Sequence, residues 1–397
     1  MKEGKAMSIR PCALQSPAFL ALKEVYDHRD AAAKQWRAEG KKVVGELGCD
    51  VPDEFLIAAG FLPVRVYADP EKPLRQTDAY LEYAFDPVVR AQFEKIVDGT
   101  CADYMDALAI SNSTDVIIRV YLYLRELKRV EPDKPIPPID FIDWLFTRNR
   151  LHQVRNEHTL SLFRQTVEQW AGHPVTDEDI LAAAKVCNEN RQALREIGAL
   201  RHGAEVRITG SEALVIIGSA FFMERSAHTA LVKQVAAEAA GWPVVEGLRI
   251  FVTGSDQEST ELYEKIEAAG AVVVGEDHNW GDRFYDRDYN TDYAPIRAVV
   301  DRYMLREFSS KKAFVSQRVD ALNREVDAAG AEAVVFYTNI YEEAASWDYP
   351  SQKKSLEDRG IRTANFAKMQ WPVEKNEGLQ DALNAFVSES KGGCKNA

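Results

Sequence analysis

Several stretches of this sequence gather side chains that do chemistry. Residues 334–350 read VVFYTNIYEEAASWDYP, an apolar run that empties into two adjacent carboxylates. Glu342 there is a candidate catalytic base or ligand. A glutamate on an exposed loop is otherwise solvated. Residues 252–259, VTGSDQES, place Gly254 and Ser255 where backbone N–H groups and a following helix start could hold an anion. The alternative is an ordinary strand-to-helix turn, because neither GxxxxGK[ST] nor GxGxxG is present. Residues 275–286, GEDHNWGDRFYD, pack acids, a histidine and Arg283 around two glycines. They suit acid–base chemistry or form a polar loop tied by an internal ion pair at Arg283. In CDVPDEF, Glu54 falls in the first turn of a helix at a strand end, where the helix dipole favours a carboxylate. It either caps that helix or faces a substrate. Ser111 and Ser113 end another strand and are candidate substrate contacts.

Metal chemistry has no such pattern. The five cysteines, Cys12, Cys49, Cys101, Cys187 and Cys394, are scattered and odd in number, which gives neither a disulfide framework nor a CxxC site. His152 and His158 are six residues apart and so do not share a helix face. No metal site is read from spacing.

The elements that must position these residues alternate. Residues 41–47 read as a strand, 51–60 as a helix, 62–68 as a strand, 86–99 as a helix, 107–113 as a strand and 115–127 as a helix. This order predicts a parallel sheet with helices on both faces. VEPDKPIPPID (130–140) breaks it. A long helical stretch follows, with Thr176 as an expected N-cap ahead of an acidic first turn, up to GWPVVEG at 241–247. Then the plan repeats, with strands at 248–255, 271–278, 331–339 and 361–368 and helices at 259–270, 296–308, 311–330 and 351–360. The expected division is an N-terminal helical segment (1–37), a first α/β domain (38–150), a helical segment (151–245) and a second α/β domain (246–397). In open α/β sheets ligands sit at the carboxyl ends of the strands, where all the stretches above fall.

Composition narrows the class. The chain has 397 residues, 46% of them hydrophobic and 28% charged, and a net charge of −13. That is a globular composition, large enough for two or three domains. The acidic balance and the absence of a basic stripe exclude a nucleic-acid partner. No apolar run approaches the roughly 20 residues that span a bilayer, and the first residues show no signal-peptide core. No membrane association and a cytoplasmic location are expected.

Taken together, VVGELGCDVPDEFLIAAGFLPVRVYA, DALAISNSTDVIIRVYLYL, FRQTVEQWAGHPVTDEDILAAAKVCNENR, LRIFVTGSDQESTELYEKIEAAGAVVVGEDHNWGDRFYD and AVVFYTNIYEEAASWDYPSQKKSLEDRGI resemble, in order, the 2-hydroxyacyl-CoA dehydratase and benzoyl-CoA reductase family. The likeness is to its shorter, β-type subunit and runs over about residues 40–370. It implies two flavodoxin-like parallel-sheet domains with helical additions, acyl-CoA thioester substrates and a heterodimer with a homologous larger subunit. It also implies a [4Fe-4S] cluster between the domains and an ATP-dependent activator that supplies one electron at low potential. In the dehydratases that electron yields a ketyl radical, which permits loss of water; in the reductases it enters an aromatic thioester. The family's cluster is held by three cysteines, and the sequence departs from it there. Where those cysteines are expected stand Asp86 in AFDPVVR, Thr114 in SNSTD and Glu342 in YEE. Two carboxylates and a hydroxyl are poor ligands for a cluster that prefers thiolate. The cluster is therefore expected in the partner subunit rather than in this chain. Glu54 falls on the family's glutamate near the substrate, and with Glu342 it is the expected catalytic pair. A non-catalytic structural or substrate-binding partner subunit is the alternative within the family. An unrelated two-domain α/β enzyme binding CoA or a nucleotide is the alternative outside it.

Overall fold

A computed structural model describes residues 9–306 and 313–393. Cys394 and the ends of the helices expected at 296–308 and 311–330 lie outside the described residues. The molecule contains two four-stranded parallel sheets. The first comprises β1 (Val43–Leu47), β2 (Leu62–Arg65), β3 (Ala107–Ser111) and β4 (Ile139–Ile142), in the order β2-β1-β3-β4. The second comprises β5 (Leu248–Gly254), β6 (Ala271–Glu276), β7 (Ala333–Asn339) and β8 (Arg362–Met369), in the equivalent order β6-β5-β7-β8. The shared order is flavodoxin-like. Its crossover direction reverses between β1 and β3, and again between β5 and β7, which opens a crevice at those carboxyl ends.

Residue types explain the central strands. VVGEL in β1, ALAIS in β3 and AVVFYTN in β7 are buried at every position, as strands covered on both faces require. The edge strand β8, RTANFAKM, alternates between half-buried and exposed. β4 is absent from the sequence-based expectation, because the prolines just before it read only as a break.

Four helices join the sheets: Arg150–Ala171, Asp177–His202, Gly210–Ser219 and Arg225–Ala239. Thr176 caps the second of these in a capping box with Asp179. This 26-residue helix ties the halves together by charge. Arg191 reaches Glu54 beside the first sheet, and Arg201 reaches Glu276 at the end of β6. A later segment also crosses back. The helix Pro295–Met304 contributes Tyr303 to the core around Phe55 and Trp144, and the Tyr303 and Trp144 rings stack 5.3 Å apart.

Candidate functional site

At the carboxyl end of the first sheet, β1 gives way to Gly48 with φ +95°. A Cβ there would sit 2.5 Å and 2.6 Å from the hydroxyls of Ser111 and Ser113. Only glycine fits that approach and that backbone angle at low cost. The two hydroxyls hydrogen-bond to each other at 2.7 Å and accept from the Asp50 and Cys49 amides at 3.1 Å and 2.8 Å. The β1 and β3 loops are thereby pinned together. Asp86 begins the helix Pro87–Val97, and its Oδ1 accepts from the Val88 and Val89 amides at 2.8 Å and 3.1 Å. Thr114 begins the helix Asp115–Val130, and its Oγ1 accepts from the Ile117 amide at 3.2 Å. Each side chain satisfies N–H groups that a helix start leaves unpaired.

The second sheet repeats the device. Gly254 ends β5 with φ +123°, and a Cβ would lie 2.2 Å from the Tyr337 carbonyl oxygen. The Ser255 amide donates to that oxygen at 2.8 Å, while its hydroxyl accepts from the Asn339 amide at 2.9 Å. Beyond β7 the chain turns sharply, with Tyr341 at φ +66°. Glu342 is half-buried and accepts from the Ala344 amide at 3.2 Å, opening the helix Ala344–Glu357, whereas Glu343 is exposed. Arg318 of the helix Val315–Ala329 locks that segment by donating from Nε to Asp348 at 2.6 Å.

The two carboxyl ends face one cleft of about 190 Å³. Asp86, Ser113 and Thr114 line it from the first half, and Gly254, Ser255, Arg283 and Glu342 from the second. Tyr83 meets Tyr341 edge-to-face across the halves, ring centroids 6.0 Å apart. Burial, and then the nearby Glu342, push the Asp86 carboxyl up to about 7, against the pull of its two helix amides. Burial likewise pushes Glu258 to about 7 and Asp277 to about 6. Glu258 accepts from the Ala68 amide and Gln92 Nε2, both at 2.8 Å. Asp277 accepts from the Thr253 hydroxyl at 2.8 Å. Near neutral pH this wall can therefore hold and release protons.

Two expected site residues lie elsewhere. Glu54 is fully buried, 3.4 Å from the Arg191 guanidinium and 3.4 Å from the Tyr303 hydroxyl, and is not among the residues lining the cleft. Ser111 sits behind Ser113 and supports it rather than facing the cleft. Of the acids near Arg283, Asp282 pairs with Arg201 and His202, and Asp286 with Arg302 and Arg306, while the Arg283 charge acts on the Asp277 carboxyl. Sequence reasoning missed Gln92, Glu258, Arg318 and Asp348, all of which line the cleft. Only Glu258 had a local signal, as the acid four residues after Gly254.

A pair of flavodoxin-like sheets with one cleft between their carboxyl ends defines the class: a two-lobed α/β protein. A family profile described as 2-hydroxyglutaryl-CoA dehydratase, D-component, matches residues 49–388, and the chain belongs to that family. It is 23% identical over 360 residues to the (R)-phenyllactyl-CoA dehydratase beta subunit of Clostridium sporogenes, covering 89% of this chain and 93% of that one. It is 23% identical over 384 residues to (R)-2-hydroxyglutaryl-CoA dehydratase, subunit beta, of Acidaminococcus fermentans, covering 93% and 99%. It is also 23% identical over 330 residues to one of the benzoyl-CoA reductase subunits of Thauera aromatica, covering 79% and 82%. Membership sets aside the reading of an unrelated nucleotide- or CoA-binding enzyme.

The donor set of the cleft does not match an iron–sulfur cluster. Its lining offers one thiol, Cys49, while Asp86, Thr114 and Glu342 present oxygen. Among the described residues no group of three or more His, Cys, Asp or Glu side chains is arranged to hold a metal ion. His278 is buried, with its Nε2 2.8 Å from the Tyr263 hydroxyl and its Nδ1 accepting from the Trp280 amide at 3.3 Å. Nor is any described helix long and apolar enough to cross a membrane.

Proposed function

We propose that this chain is the β-type subunit of a heterodimeric enzyme that dehydrates or reduces a CoA thioester in the cytoplasm. The cluster chemistry then resides in a homologous larger subunit, supplied with electrons by an ATP-dependent activator. One observation carries this reading: Asp86, Thr114 and Glu342, the three positions where the family's thiolates are expected, line a single cleft and all bear oxygen. The relatives named as beta subunits support the heterodimer, and their names support the thioester substrate. In this chain the cleft receives the acyl end of the substrate. Asp86 holds a proton there, its carboxyl pushed up by burial and then by the neighbouring Glu342. The Ser113 and Ser255 hydroxyls offer hydrogen bonds to the thioester, and Arg283 offers charge. Glu54 acts from behind, holding Arg191 and Tyr303 in place.

The non-catalytic alternative rests on a specific feature. Asp86 and Thr114 already serve as helix caps, which explains them without any chemistry. Anaerobic co-purification with the larger homologue, followed by separation of the chains and iron and sulfide analysis, tests the assignment. Iron should follow the partner; about four iron atoms in this chain overturn the reading. Turnover of (R)-phenyllactyl-CoA by the reconstituted complex then separates the alternatives. Asp86→Asn should cut it at least 10-fold if the residue handles protons, and leave it unchanged if the subunit is only structural.

A further inference from the structure

Behind the cleft, and joined to it at Gly48, Cys49 and Arg65, lies a second cavity of about 10 Å³. Four arginines line it: Arg65, Arg191, Arg302 and Arg306. They arrive from distant parts of the chain, β2, the helix Asp177–His202, the helix Pro295–Met304 and the residues just after it. The side chains of Arg191, Arg302 and Arg306 are only 5%, 3% and 4% exposed. Burying that many guanidiniums together costs free energy unless anions match them.

The matching is incomplete among the described residues. Arg191 pairs with Glu54 and Asp288, Arg302 with Asp286, and Arg306 with Asp50 and Asp286. Asp53, which also lines the cavity, is taken by Arg225. Arg65 donates to the Asn279 carbonyl and lies over the Phe221 ring 3.5 Å from its centre, with no ion pair. The remaining acid, Glu46, is buried, and one of its carboxyl oxygens has no hydrogen-bond partner. Burial and then Asp53 push its carboxyl well above the usual range, against the pull of Arg65 and Arg225. Among the described residues Arg65 is thus the one arginine of the cavity without an ion pair. The Nε–H groups of Arg65 and Arg302 are buried, with neither a hydrogen bond nor an ion pair. Mutual repulsion shows too: burial first, then Arg191 and Arg306, hold the Arg302 guanidinium below its ordinary value.

We infer that this cavity is a binding site for one small monovalent anion of halide size. The unmatched cation and the orphaned N–H donors demand an acceptor carrying charge. The volume is that of about one water molecule, which excludes phosphate, sulfate and a substrate carboxylate. The bound anion would neutralise the floor of the cleft and fix the β1 loop, without taking part in the thioester reaction. The site therefore stands or falls independently of the proposed function.

Crystals of the full chain grown with sodium bromide test it directly. An anomalous peak inside the cavity, within hydrogen-bond reach of Arg302 and Arg65, is expected. A water without anomalous signal there, or bromide confined to the outer surface, overturns the proposal. In solution, replacing gluconate by bromide at constant ionic strength should raise the melting temperature saturably, by about 2 °C. Arg302→Gln should abolish that rise, and Arg65→Gln, at a less buried position, provides the same readout if the first variant does not fold. An unresponsive wild type, or an equal response in both variants, overturns the proposal.

Discussion

The two halves solve one geometric problem with different materials. In each, the first central strand ends on a glycine with positive φ pressed against the next central strand: Gly48 against Ser111 and Ser113, Gly254 against Tyr337. In each, serine hydroxyls tie the neighbouring loops. The first half meets Gly48 most closely with side-chain hydroxyls, which can rotate away, and with the Ser111 carbonyl only at 3.0 Å. The second meets Gly254 with a backbone carbonyl, which cannot. The first half presents helix caps to the cleft, Asp86 and Thr114; the second presents a strained turn, Tyr341–Glu342. A duplicated scaffold therefore does not imply duplicated tolerance: the second half is the more rigid wall, and the first carries the adjustable groups.

Substitutions can break that contrast. Gly254→Ala should destabilise by about 4 kcal/mol or more, since a Cβ must displace backbone at an unfavourable φ. Gly48→Ala should cost about 2–3 kcal/mol, because hydroxyls can yield. Urea denaturation of both variants measures the difference, and equal costs would erase the distinction between the halves. The next effect is one of pH. Asp86 holds its proton to about 7 in the folded chain but releases it near 3.8 when unfolded. The folded state thus binds the extra proton between these values, and stability falls as pH rises through that window. Asp86→Asn should remove roughly 2–4 kcal/mol of that slope, read from melting curves at pH 4 to 8; an unchanged slope would return Asp86 to the rank of a plain cap. The smallest effect concerns the turn. Tyr341→Gly should be about 1 kcal/mol more stable than Tyr341→Ala, because only the latter keeps a Cβ at φ +66°.

Much of this was legible in the sequence because it is local. The alternation of buried strands with capped helices gives both sheets, and the glycines and serines at strand ends mark the cleft. What escaped depends on long-range pairing. Glu54 reads as a first-turn carboxylate until Arg191 and Tyr303, 137 and 249 residues away, enclose it. Arg318 and Asp348 look like ordinary helix charges until they meet. β4 is hidden by the prolines that lead into it, and the helix Leu379–Gly393 follows the last element that periodicity suggested.

The cap at Asp86 has a stereochemical consequence. Oδ1 receives both helix amides, so a proton on that oxygen would point at donors. The acidic hydrogen must therefore reside on Oδ2, which makes the two oxygens chemically distinct. One is committed to the backbone at every pH. The other is a hydroxyl donor below about 7 and a bare acceptor above it. A carbonyl reaching this wall would be greeted by a donor in one regime and by a lone pair in the other, with the helix start unchanged. Asp86→Asn, whose amide N–H donates at any pH, should abolish that dependence in ligand binding.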